Sequence, residues 1–125
     1  MVKEIQTEQA PIAIGPYSQA IKAGDFIYVS GQIGIDPANG QVVEGIQNQT
    51  KQVLKNIQAI LEEAGTDFSK VVKFTIYLAS MDDFAMVNEI YGSYLKKPYP
   101  ARATFEVSKL PKSALIEIDA VVFDK

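Results

Sequence analysis

The chain has 125 residues, a length typical of one domain, and 47% of them are hydrophobic, which is enough for a packed core. Its formal charge of −3 gives no basic surplus of the kind that binds nucleic acid or anionic membranes. It contains no cysteine and no histidine, which excludes disulfides, thiolate nucleophiles, zinc ribbons and Ser-His triads, and removes the ligands of most transition-metal sites. We therefore expect one domain over residues 1–125 that uses no metal or other cofactor.

The first third of the chain predicts short strands around a rigid loop. Residues 2–7 alternate apolar and polar side chains, as a short strand does. Residues 9–19 contain two prolines and a glycine, which predicts a structured loop that presents Tyr17 from a stiff turn. Nothing at this end resembles a signal peptide, and no apolar run reaches transmembrane length. We expect a cytoplasmic protein without a membrane partner.

Two further strands follow the loop. Residues 20–23 and 26–34 are joined by Gly24-Asp25, which predicts a tight turn between them. Ser30-Gly31 interrupts the apolar run of the second strand. A glycine inside a strand indicates a bulge, or the close approach of a ligand or another backbone. A crowded contact within the sheet is the alternative interpretation.

Two amphipathic segments predict the helices. Residues 45–64 carry an apolar stripe at helical spacing, and Gly65 is a natural stop after it. A second helix is expected to begin at Met81 and to end near Lys96-Lys97-Pro98. Its predicted buried side consists of Phe84, Val87, Tyr91, Tyr94 and Leu95, with Asn88 near the edge.

The segment between these helices, residues 68–79, predicts a strand. Its apolar residues alternate with polar ones, so we expect Val72, Phe74, Ile76 and Leu78 to face the core. The order of elements is then strands, helix, strand, helix, strands. This order predicts an α+β fold in which two helices pack on one face of a mixed β-sheet.

The last quarter of the chain, residues 100–123, predicts two strands joined by a loop. In the second strand one face is continuously apolar: Ile116, Ile118, Ala120 and Val122. The other face mixes carboxylates with apolar side chains: Leu115, Glu117, Asp119, Val121 and Phe123. Such a face needs a second cover, and in so short a chain we expect that cover to be another subunit.

These last strands also carry the first candidates for chemistry, Arg102 and Glu117. A guanidinium matches a carboxylate in bidentate geometry, so Arg102 suits the binding of a small carboxylic acid. The alternative is a structural ion pair in which Glu117 is the partner of Arg102 or of a lysine in the subunit interface. The chain has neither a GxGxxG motif nor a P-loop. The acidic residues Asp36, Asp82 and Asp83 have turn and helix-cap roles, so we expect no metal site.

With these residues in view, the chain resembles the RidA type of reactive intermediate deaminase, also called the YjgF family, over almost its whole length. The matching segments are Gly15-Pro16-Tyr17-Ser18-Gln19-Ala20, Val29-Ser30-Gly31-Gln32, Asn56-Ile57, residues 73–78, Val87-Asn88 with Tyr91, Pro100-Ala101-Arg102, and Leu110-Pro111 followed by Ile116-Glu117-Ile118. No single segment is specific, but the combination is.

The resemblance implies a fold similar to the trimeric type of chorismate mutase and a homotrimer with active sites between subunits. It also implies an activity, the hydrolysis of 2-imino acids such as 2-iminobutanoate and 2-iminopropanoate to 2-keto acids and ammonia. Such imines and their enamine tautomers are released by pyridoxal-phosphate enzymes. An imine carbon is already electrophilic, so a protein without histidine can suffice if it holds the carboxylate and a water in register.

The resemblance also implies the site residues. Arg102 would bind the substrate carboxylate and Glu117 would position or activate water. The backbone around Ala103 and Thr104 would contact the imine nitrogen. The cleft would be lined by Tyr17, Ser30, Gly31 and Asn88. Many relatives have Ser-Cys where this chain has Ala103-Thr104, and the sequence does not show whether that change matters.

Two alternative functions stay open from the sequence. One is a non-catalytic regulatory protein that binds small carboxylates in the same cleft. The other is a chaperone, translation inhibitor or endoribonuclease. RNA cleavage is the weakest of these, since the chain is acidic and lacks histidine. The sequence also leaves open which imino acid is preferred and which subunit supplies each cleft residue.

Overall fold

The computed structural model describes all of residues 1–125, which form eight strands and two α-helices. The strands are β1 (Val2–Ile5), β2 (Ala20–Ala23), β3 (Phe26–Ile33), β4 (Ile35–Asp36), β5 (Gln41–Val42), β6 (Val71–Leu78), β7 (Ala101–Glu106) and β8 (Ile116–Phe123). The helices are α1 (Ile46–Glu63) and α2 (Phe84–Ser93). Short 3-10 turns precede β6, α2 and β8.

Six of the strands form one sheet in the order β1-β2-β3-β8-β6-β7, while β4 and β5 form a separate small hairpin. Only the β6–β7 pair is parallel, because α2 carries the chain back between these two strands. All other pairs are antiparallel. The predicted α+β fold, a mixed sheet with two helices on one face, is confirmed.

The core lies between the helices and this sheet, and β8 runs through its centre. Every second residue of β8 is buried against the helices, and Ile116, Ile118 and Val122 are fully inaccessible. The apolar stripe of α1 packs onto β3, β8 and α2. Burial of such a stripe is the main source of stability for a helix of this length. The stripe predicted from the sequence is therefore core.

The prediction for β6 is wrong at its first residues. Val72, which was expected in the core, is 42% exposed, and Val71 is buried instead. The strand also begins at Val71, because Phe68–Lys70 forms a 3-10 turn. A bulge between Val71 and Lys73 shifts the pairing with β8 by one residue. Since side chains alternate along a strand, one extra residue moves the start of β6 to the other face.

A second bulge interrupts β3 between Val29 and Gln32. It contains Ser30 and Gly31, so the predicted irregularity at this glycine is confirmed.

The sheet face turned away from the helices, called the open face below, is only partly accessible and carries large apolar side chains. Tyr28 is 51% exposed and Phe105 is 52% exposed. Phe26 and Phe123 pack edge to face at 5.6 Å between ring centroids. Neither α1 nor α2 has the combination of length and apolar character that a membrane-spanning helix requires.

Candidate active site

Arg102 lies on β7, on the face of the sheet that α2 covers. Its Nη1 donates a 2.6 Å hydrogen bond to Oδ1 of Asn88 in the helix. The guanidinium carbon lies 5.4 Å from the ring centre of Phe84 and 5.1 Å from that of Tyr91. Cation–π contacts with two rings and the hydrogen bond to the Asn88 amide hold the guanidinium in place, while its other N–H donors stay free. Arg102 is therefore preorganised to bind a planar anion.

A pocket of about 460 Å³ opens beside this guanidinium. It is lined by Asn88, Tyr91, Gly92, Tyr99, Pro100 and Arg102. The Tyr91 hydroxyl is buried and has no hydrogen-bond partner. Burial raises the pKa of Tyr91, and the nearby Arg102 charge opposes that shift. The pocket therefore combines one cation with neutral walls, an arrangement that suits a small carboxylate.

Glu117 lies on β8, on the open face, and its carboxylate covers the bulge of β3. A Cβ atom placed on Gly31 would lie only 2.2 Å from Oε2 of Glu117. Only glycine at position 31 leaves room for the carboxylate there. Glu117 is half-buried, and burial raises its pKa, as does, to a smaller extent, the negative charge of Asp119. A carboxyl with a raised pKa is suited to proton transfer near neutral pH.

A second pocket, of about 310 Å³, lies in front of Glu117. Tyr17, Gly31 and Glu117 line it together with Ile12, Ile14 and Lys112, among others. The neighbouring Ser30 has a different role within the chain, because its hydroxyl donates a 2.6 Å hydrogen bond to the Ser18 carbonyl. This bond ties the loop that carries Tyr17 to the bulge.

Ala103 and Thr104 line neither of these two pockets. Thr104 pairs with Ile76 and shares the helix-covered face with Arg102, and its hydroxyl is buried without a partner. Ala103 lies on the open face with Phe105. Their assignment to substrate binding stays a prediction.

Arg102 and Glu117, the two principal candidates, do not meet within one chain. The strands that carry them are not neighbours in the sheet, because β6 lies between β7 and β8. Arg102 turns toward α2, whereas Glu117, between the buried Ile116 and Ile118, lies on the opposite face. An ion pair between the two residues of one chain is therefore excluded. Each chain therefore carries two separate groups of candidate residues, called the arginine half and the glutamate half below, or together the half-sites: Arg102 with Asn88, and Glu117 with Tyr17 and Gly31.

Comparison with known proteins identifies the family of the chain. The family model described as Endoribonuclease L-PSP matches residues 7–123. The chain is 55% identical over 124 residues to a RutC family protein of Pyrococcus horikoshii, covering 98% of both chains. It is 54% identical to human 2-iminobutanoate/2-iminopropanoate deaminase over 118 residues, which are 94% of this chain and 86% of the human one. The chain belongs to the RidA/YjgF family.

The fold of this Rid protein is also that of solved structures in the family. The crystal structure of RidA from an Antarctic Psychrobacter species superposes with a TM-score of 0.95 at 45% sequence identity. The similarity covers 97% of this chain and 98% of that one. The resemblance stated from the sequence motifs is confirmed at the level of family and fold.

Several residues of the half-sites were missed as functional candidates. Phe84 and Tyr91 were assigned only to the buried side of α2, yet both contact the Arg102 guanidinium. The sequence held a signal, because positions 84, 88 and 91 lie on one face of a helix. Lys112 was not considered either. It lines the pocket of Glu117 and has a positive φ of 55°, which is rare for residues other than glycine.

Proposed function

We propose that this chain hydrolyses small 2-imino acids, of which 2-iminobutanoate and 2-iminopropanoate are the simplest, to 2-keto acids and ammonia. We propose further that the active sites form between copies of the chain in a homotrimer. The observation that carries this proposal is the division of the site: Arg102 and Glu117 lie on opposite faces of one sheet. A second copy that brings its glutamate half to the arginine half of the first completes the site.

The open face supports an assembly of this kind. Exposure of its large apolar side chains to water is unfavourable, and Tyr28, Phe105 and Phe123 are each more than a third exposed. Several large apolar side chains exposed on one sheet face favour a protein–protein contact there. The strand that carries Arg102 is also an edge strand of the sheet, so one row of its backbone groups lacks a partner within the chain. The edge strand carries Arg102, and the open face carries Glu117.

The residues account for the chemistry without a cofactor. Arg102, fixed by Asn88, Phe84 and Tyr91, binds the carboxylate of the substrate. Glu117 of the adjoining chain takes a proton from water as the water oxygen bonds to the imine carbon, and delivers that proton to the imine nitrogen. The product of this step is a carbinolamine, with one hydroxyl and one amino group on the same carbon.

The second step uses the same carboxylate. Glu117 takes the proton of the carbinolamine hydroxyl and passes it to the amino nitrogen. The carbon–nitrogen bond then breaks, ammonia leaves, and the carbon–oxygen bond becomes the carbonyl of the 2-keto acid. Water and imine enter, and ammonia and keto acid leave, so the step needs no oxidant. The raised pKa of Glu117 favours both proton transfers.

A mixing experiment tests the function and the divided site together. Arg102→Ala removes the arginine half and Glu117→Gln inactivates the glutamate half, so each pure variant should be nearly inactive. Glu117→Gln should still bind 2-ketobutyrate. When the two variants are refolded together at equal concentrations, random assembly regenerates about one quarter of the sites with both native residues. The measurement is consumption of 2-iminobutanoate made in situ, with semicarbazide as the competing trap.

Each outcome has a distinct meaning. Recovery in the mixture, with none in either variant refolded alone, supports sites between chains. No recovery would contradict them. Wild-type protein that binds 2-ketobutyrate but leaves the imine to the trap would instead be the non-catalytic binding protein. Sedimentation of the wild type as a monomer at micromolar concentration would overturn the trimer.

A further inference from the structure

A second carboxylate lies beside Glu117 and has no part in the mechanism above. Asp119 follows Glu117 by two residues on β8, so both side chains lie on the open face, with Cα atoms roughly 7 Å apart. Both residues are half-buried. Two acidic groups so close on one strand repel each other when both are ionised. The structure contains a device that keeps Asp119 in this position.

That device is Tyr77 on the neighbouring strand β6. Tyr77 is paired directly opposite Glu117, yet its hydroxyl reaches diagonally to donate a 2.9 Å hydrogen bond to Oδ2 of Asp119. Its ring stacks on Phe105 of β7, with ring centroids 6.5 Å apart and planes inclined by 29°. The hydrogen bond fixes the position of the Asp119 carboxylate, and the stacking fixes the tyrosine. A negative charge is thereby held next to Glu117.

No cation within the chain contacts this pair of carboxylates. The groups that face Glu117 are Asp119 on its own strand, Tyr77 on β6, and Tyr17 and Lys112 around the pocket. On the β3 side its register partner is Ile33, which has no charge. Lys112 lines the same pocket, but neither it nor Lys73 farther along β6 forms an ion pair with either carboxylate. Burial raises the pKa of Glu117, and the Asp119 charge raises it further.

We propose that Asp119, held by Tyr77, is a positioning residue that controls the pH at which Glu117 exchanges protons during imine hydrolysis. This inference rests on the proposed function of Glu117. Without the Asp119 charge, Glu117 would ionise at lower pH and would be a weaker base toward the attacking water. Burial raises the proton affinity of Glu117 and the tyrosine–aspartate pair raises it further, whereas Arg102 of the adjoining chain in the proposed site lowers it.

The Asp119→Asn variant tests this inference, because its amide oxygen still accepts the hydrogen bond from Tyr77 while the charge is gone. We expect the acidic limb of the kcat/KM profile to move to lower pH. The limb should move by about 0.4 pH units or more, the effect of one charge about 7 Å away when screened as in bulk water, and the ratio of activity at pH 5 to activity at pH 8 should rise. Asp119→Glu should bring the limb back toward its wild-type position. Affinity for 2-ketobutyrate should be unchanged.

Asp25→Asn is the matched control, since it removes one negative charge from the turn between β2 and β3, at the far end of β8. Its pH profile should match that of the wild type. Carbon-13 titration of the Glu117 carboxyl, assigned with Glu117→Gln, gives a second measurement that does not need turnover. Failure of the wild type to consume imine overturns the proposed function alone, because the titration still decides the inference. A Glu117 titration that is the same in wild type and Asp119→Asn would overturn the role of Asp119.

Discussion

The contact between Gly31 and Glu117 gives the sharpest test of the site. Replacing Gly31 with alanine adds one methyl group, which would lie 2.2 Å from Oε2 and 2.8 Å from Cδ of Glu117. An ordinary contact needs at least 3.4 Å, so the carboxylate must retreat by about 1.2 Å. Gly31 is not among the glycines with positive φ, so its backbone accepts alanine without strain.

The expected effect is a loss of activity without a loss of stability. The atoms in the way belong to the end of a flexible side chain that is half-buried, so the fold can accommodate the methyl group. Stability should stay within about 1 kcal/mol, because alanine in place of glycine also restricts the unfolded chain. A misplacement of about 1 Å at a reacting group lowers rates on the order of a hundredfold. We therefore expect Gly31→Ala to fold normally and to lose about a hundredfold in imine turnover.

Two controls separate this effect from general damage. Gly34→Ala places its methyl group 2.9 Å from the Cα atom of Gln49, in the backbone of α1, which cannot move aside. That variant should lose stability, by about 1–3 kcal/mol as in other overpacked cores. In a Glu117→Gln background, Gly31→Ala should have little further effect, since both changes act on one carboxylate. The measurements are imine turnover and urea unfolding. Full activity in a folded Gly31→Ala protein would refute the reasoning.

Two further predictions concern the charged residues themselves. Arg102→Lys replaces a planar fork by a point charge, so affinity for 2-ketobutyrate should fall by about ten- to a hundredfold, the loss of one charge-assisted hydrogen bond; equal affinity by calorimetry would contradict a bidentate clamp. Burial raises the pKa of Glu117 above its ordinary value of 4.5, so ionisation of this residue opposes folding as the pH rises through the folded pKa. The stability advantage of Glu117→Gln over wild type should therefore grow between pH 4 and pH 8 in urea unfolding, and an advantage independent of pH would contradict the shift.

The sequence by itself determined the two helices, the six strands of the main sheet and most of their buried faces, but not the small β4–β5 hairpin. The stripe on α1 has an unbroken helical period from Thr50 to Leu61, and β8 alternates without error from Ile116 to Val122. Such long patterns are reliable because each residue adds to the same face. The prediction failed at Val72, where a bulge inserts one residue into β6. A bulge depends on the pairing with β8, which is a contact between segments far apart in the sequence.

Only the tertiary structure decided how the candidate residues meet. Alternation places Arg102 with Thr104 on one face of β7, but it does not say whether the helices cover that face. The answer comes from the parallel pairing of β7 with β6, which sets Arg102 opposite the buried Phe74. The same pairing puts β6 between the two candidate strands and turns their charges to opposite sides of the sheet. Strand order and register arise from packing of the whole chain, so no local pattern contains them.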